Sequence, residues 1–171
     1  DDEYENDRYF VYKNTSIDFS TWCKHIVKVY KDHGIIGISY VLAALFRDII
    51  FNKFKFFPHL YLFAQPQSGK TTFGYSLTSI FFQDLKPFNL SSGTNVGFFR
   101  RNARYKNALA WYDEFSGDID IKRFEALKSA YDGVGHEKGR MTKDNRSEVT
   151  KVNSACLISG QHLPTGNDGA L

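Results

Sequence analysis

Phe19, Trp22, Cys23, Ile26, Val27 and Tyr30 recur at spacings of three and four, which predicts an amphipathic helix that Gly34 is expected to end. Ile38, Leu42, Leu45, Phe46 and Ile49 repeat the spacing and predict a second helix. Pro58 then punctuates the chain. Beyond it the pattern changes to short apolar runs alternating with helical stretches. Strands are expected over 59–64, around 88–90, over 108–114 and over 154–159, with helices over 71–82, 96–105 and 121–131. Such alternation predicts parallel pairing and a three-layer α/β/α sandwich, with ligands received at the carboxyl ends of the strands. One compact domain, or one and a part, is expected: a helical lead-in over 1–57 before a core over 58–171 that is incomplete at its C-terminal end. Without an initial Met and with a polar ending, the chain is read as part of a longer protein.

The first strand runs into Ala64-Gln65-Pro66-Gln67-Ser68-Gly69-Lys70-Thr71-Thr72. A small, turn-prone loop between a buried strand and a helix start gathers backbone N–H groups around an anion, and the helix dipole adds to their pull. In this reading 65–72, that is Gln65, Pro66, Gln67, Ser68, Gly69, Lys70, Thr71 and Thr72, bind the phosphates. Lys70 reaches the β- and γ-phosphates, Thr71 offers a hydroxyl to Mg²⁺, and Gly69 leaves room where a Cβ would obstruct. Ala64 stands where the G-x-x-x-x-G-K-S/T pattern has its first glycine, so the residue must stay in the β region if the loop is to cradle a nucleotide. The plainer alternative is a strand–turn–helix junction with a chance Gly-Lys-Thr.

Roughly forty residues later a second apolar run closes on Asp113-Glu114. Neighbouring side chains in a strand point to opposite faces, but where the chain leaves the sheet both carboxylates can turn to one ligand. Asp113 then holds the Mg²⁺ shell and Glu114 polarises the attacking water. Two acids at a helix start, favoured by its dipole, are the alternative. In P-loop ATPases that use a catalytic glutamate, the strand following the carboxylate strand lies between it and the phosphate-loop strand. Gln161, at the tip of the 154–159 strand, would therefore sit between Lys70 and Glu114 and sense the γ-phosphate.

The order of phosphate loop, Asp-Glu strand, basic hairpin and a strand ending in Gln161-His162-Leu163-Pro164 resembles the superfamily 3 and AAA+ helicase ATPases, closest to the primase-associated helicase domains of phages, plasmids and other mobile elements. The resemblance covers roughly residues 58 to 171, with Gln161 where the family usually has Asn. It implies a P-loop NTPase sandwich that binds ATP and Mg²⁺, hydrolyses ATP through Lys70, Asp113, Glu114 and Gln161, and assembles as a homo-oligomeric ring on DNA during replication. Residues 135–151 suggest a hairpin with its turn near Asp144 and Asn145. By the resemblance it projects into the ring channel, with Lys138, Arg140, Lys143 and Arg146 touching DNA phosphates. Arg100, Arg101 and Arg104 form a second basic cluster. The family continues into arginines that act on a neighbouring subunit's nucleotide, and no such stretch precedes Leu171.

A net charge of +3, from 22 Lys and Arg against 19 Asp and Glu, permits a nucleic-acid partner without demanding one. A P-loop switch on a protein partner without DNA translocation, and a non-hydrolysing DNA-binding module, stay open beside the helicase reading. Cys23 and Cys156 lie in apolar surroundings without C-x-x-C spacing, which fits reduced thiols in a cytoplasmic protein, and the five histidines are scattered. The longest apolar run, 34–46, is too short to span a bilayer, so no membrane partner is expected.

Overall fold

Asp18 starts the described structure's first helix by accepting a hydrogen bond from the Thr21 N–H at 2.6 Å, the ordinary way of satisfying an orphan donor. In this computed structural model residues 15–82, 85–116, 119–133, 136–139, 147–150 and 152–163 are described. Helix α1 (Phe19–Leu45) contains a sharp kink at Lys31, where φ is 53° and ψ is −128°. Gly34 therefore does not end a helix; it lies inside α1. A Cβ there would sit 2.9 Å from the Ile26 carbonyl oxygen, so the glycine lets the two segments meet closely across the kink. The second segment stops at Leu45, before Ile49, and α2 (Arg47–Phe54) leaves it at 82°. Among the described residues no single helix is long and apolar enough to cross a membrane.

Strand β1 (Leu60–Phe63) leads through a loop into α3 (Lys70–Thr78). Strand β2 (Phe88–Asn89) precedes α4 (Asn95–Arg104), which Thr94 caps by accepting from the Gly97 N–H. Strand β3 (Leu109–Phe115) is followed by α5 (Ile121–Tyr131), capped by Asp120. An antiparallel pair, β4 (His136–Gly139) and β5 (Ser147–Thr150), supplies the expected hairpin arms. Strand β6 (Ala155–Gly160) ends the described elements.

The result is an α/β architecture: among the described residues, five helices and a four-stranded, all-parallel sheet in the order β1-β6-β3-β2. The last strand is inserted between β1 and β3, the position that the arrangement of P-loop ATPases implied for the strand leading to Gln161. Strands buried on both faces read as continuous apolar runs, and β3 and β6 show it. Alternate residues divide between two cores. Leu109, Trp111, Ala155 and Leu157 face α1 and α3, with Val41, Phe73 and Leu77; Ala110, Tyr112, Cys156 and Ile158 face α4 and α5, with Phe98 and Leu127. The lead-in helix α1 thus shares its core with the sheet. Burial pushes the Cys156 thiol up to about 12, making it an inert packing group.

Candidate functional site

The loop after β1 bends where glycine-like geometry is needed. Positive φ falls on Gln67 (60°) and Gly69 (87°), while Ala64 is not among the residues with positive φ. Glycine is therefore not required at 64 by a positive φ. Gly69 caps α3, and a Cβ placed on it would meet nothing within 4 Å, so its backbone conformation, not crowding by the protein, calls for glycine. The first helical bond of α3 runs from the Phe73 N–H to the Gly69 oxygen at 2.9 Å. The amides ahead of it, in Lys70, Thr71 and Thr72, belong to the helix turn that has no internal acceptors. Residues 65–69, Thr71 and Thr72 are exposed. Lys70 folds back over the loop and donates to the carbonyl oxygens of Ala64 at 2.6 Å and Gln65 at 2.9 Å.

Helix α3 is held over the carboxyl edge by close packing. Gly74 lies against the Trp111 indole so tightly that a Cβ would come within 2.4 Å of it, and Tyr75 meets the same ring edge-on at 4.8 Å. Beyond Trp111, β3 carries a register irregularity between Tyr112 and Phe115 relative to β6. Glu114 lies inside it with φ of 61°. A bulge with a left-handed residue bends the strand and re-aims the side chains around it. Glu114 is exposed and Asp113 half-buried.

A buried chain of hydrogen bonds fixes Asp113. The Trp111 indole N–H donates to Ser159 Oγ at 2.9 Å, and Ser159 Oγ donates to Asp113 Oδ1 at 2.6 Å. Asp113 Oδ2 accepts no hydrogen bond from the described residues. Ser159 was not among the expected site residues; its signal is a hydroxyl on β6 of the same facing parity as Trp111. A second unanticipated residue is Arg123. It donates through Nε to Asn95 Oδ1 at 2.9 Å and through its two terminal nitrogens to the carbonyls of Leu90 and Gly93. This pins the loop after β2, from which Ser91 Oγ donates to the Glu114 carbonyl at 3.2 Å.

Three strand ends therefore line up. Phe63 of β1 and Phe115 of β3 both register with Gly160 of β6, where a Cβ would lie 2.5 Å from the Phe115 oxygen. Gln161 follows Gly160 and is exposed at the middle strand's tip; Tyr61 donates to the carbonyl of His162 beside it. Lys70, bonded one residue past β1, and Asp113, bonded to β6, share this edge, with β1 and β3 two strand spacings or about 10 Å apart. Burial pushes the Tyr61 hydroxyl up to about 12, so it stays a neutral donor.

Among the described residues no three His, Cys, Asp or Glu side chains cluster to hold a metal. Magnesium needs no such cage, since one or two carboxylates with phosphate and water oxygens suffice, and Asp113 with Thr71 is a donor set of that kind. Of the expected nucleic-acid contacts, Lys138 falls on β4, and Arg140, Lys143 and Arg146 lie outside the described residues, as does Pro164. Arg101 is no free surface cation: half-buried, it donates to the Lys86 carbonyl. No protein-family model, no curated protein and no solved structure matches this chain.

Proposed function

We propose that the chain is an ATP-hydrolysing module of the P-loop type, with a three-layer α/β/α core, serving as the motor of a DNA helicase or primase-helicase. One observation carries the nucleotide reading. The Lys70 loop and the Ser159-held Asp113 occupy a single carboxyl edge, with β6 between them and α3 starting over it. Open α/β sheets receive ligands at this edge, and a helix N-terminus beside a lysine and an acid pair suits a metal-bound triphosphate.

Bound ATP would supply the phosphoryl bond to be cleaved, and Mg²⁺ the positive charge that offsets its phosphate oxygens. Rotation of the Lys70 side chain off the Ala64 and Gln65 carbonyls frees its ammonium for an anion. The amides of 69–72 neutralise charge without moving, which is the form of stabilisation that costs least at the moment of reaction. Asp113 and the Thr71 hydroxyl would hold the cation. Glu114 orients a water and takes its proton, a contribution of roughly two to four decades of rate. Gln161 offers an amide between these groups. The β4–β5 hairpin supports the DNA half of the reading, because it precedes β6 as the helicase resemblance implies.

Calorimetric titration with Mg-ATP tests the first half. Lys70→Ala is expected to abolish binding, whereas Glu114→Gln binds and loses turnover; parent-like affinity in both variants would exclude the site. Turnover measured with and without single-stranded DNA tests the second half. Stimulation is expected, and its absence points to a switch that acts on a protein.

A further inference from the structure

An open cleft of about 580 Å³ lies between α1 and β1, and it runs directly into the phosphate loop. Tyr30, His33 and Ile36 of α1 form one wall, Phe63 of β1 the other, and Gly69 and Lys70 the floor. The volume falls in the range of small-molecule sites, which join apolar walls to a few polar groups. β1 is an end strand of the described sheet, and Phe63 at its C-terminal end is 47% exposed; Ile36 is 55% exposed. The cleft is built, not incidental. Lys31 adopts its strained backbone at the kink between Tyr30 and His33, and both of these residues line the cleft. Tyr30 is fixed by its ring contact with Phe73 at 4.2 Å, in the first turn of α3. Gly37 brings α1 against α3, since a Cβ there would lie 2.7 Å from Phe73.

We propose that this cleft takes the nucleoside half of the triphosphate, with the base lying along Ile36, Tyr30 and Phe63 and His33 offering a ring nitrogen to its polar edge. The inference rests on the nucleotide reading above, and continuity with the loop selects the occupant. A flat, apolar-faced ring tethered to phosphates at Gly69 and Lys70 finds the apolar lining of Tyr30, Ile36 and Phe63 in the same cleft. The lead-in helix thereby becomes the part that reads the base, while the loop reads only phosphate.

Two probes separate the halves: Mg-ATP, and Mg-tripolyphosphate, which has the phosphates without a nucleoside. Binding of each is measured on the full chain, on Ile36→Asp and on His33→Ala, with circular dichroism melts to check folding. Both substitutions are at exposed positions. Ile36→Asp is expected to weaken ATP binding about tenfold or more and His33→Ala by about threefold, with tripolyphosphate affinity kept within about twofold. Parent-like ATP affinity in both variants, while Lys70→Ala loses both probes, overturns the nucleoside site and leaves the phosphate site standing. A parent chain that binds neither probe overturns both.

Discussion

Ser159 Oγ lies 2.6 Å from Asp113 Oδ1 while accepting from the buried Trp111 indole at 2.9 Å, so one hydroxyl joins the core of the molecule to the acid at its edge. Ser159→Ala breaks both ends of that chain. The indole N–H, in a fully buried residue, loses its acceptor, and an orphaned buried donor costs about 1–3 kcal/mol. Urea denaturation is expected to show that loss. Ser159→Thr, which keeps the hydroxyl, is expected to recover most of it. If alanine proves as stable as the parent, the relay has no structural weight.

Gly74 gives the second prediction. Its ideal Cβ would stand 2.4 Å from Trp111 Cζ2, and Trp111 has no free side to retreat to. Gly74→Ala must lift α3 from the sheet or drive the indole off its rotamer, costing about 1–3 kcal/mol as overpacking does. Because α3 carries Lys70 and Thr71 at its start, the lift also moves the 65–69 loop relative to Asp113. A lowered thermal midpoint with weakened Mg-ATP binding is expected, against the gain of helix propensity that Ala brings at an unobstructed site.

His59 sets a pH dependence. Its Nε2–H donates to the Leu127 carbonyl at 2.7 Å, and burial holds the imidazole's pKa below its ordinary value, with a smaller push from the Arg47 guanidinium. The unfolded chain takes up a proton near the ordinary value of about 6.5, where the fold still refuses it. Protonation therefore favours the unfolded state: stability is full above that pH and declines as pH falls through it. Denaturation at pH 7.5, 6.5 and 5.5 is expected to show this slope. His59→Gln, which has no titrating ring, is expected to flatten it.

Much of the scaffold is legible in the amino-acid order because parallel strands buried on both faces must be apolar throughout. Leu109 to Tyr112 and Ala155 to Ile158 announce themselves, as do the acids one and two residues before the end of β3. What does not show is whatever depends on register or on backbone strain. Ser159 becomes an Asp113 partner only once β6 is placed beside β3, and Arg123 grips Leu90, Gly93 and Asn95 from some thirty residues away. The kink misled for a related reason. A glycine at 34 is a natural helix end by propensity, yet tertiary contact with Ile26 uses its missing Cβ, and the strained residue is Lys31, whose side chain carries no such signal.

Strain at Glu114 supplies the last prediction. With φ at 61°, this residue occupies a left-handed conformation that a side chain disfavours by about 1–2 kcal/mol, and it does so inside a strand whose neighbours Tyr112 and Phe115 are buried. Nothing in packing requires a glutamate there, since the side chain is exposed. Glycine accepts the conformation without penalty, although its greater freedom in the unfolded chain offsets part of the gain. Glu114→Gly is therefore expected to be as stable as the parent or more so by up to about 1 kcal/mol, while ATP turnover falls to background. A residue kept against the preference of its own backbone, whose removal helps the fold and silences the chemistry, is held for the carboxylate. Loss of stability together with retained turnover would mean instead that Glu114 shapes the bulge and has no part in the reaction.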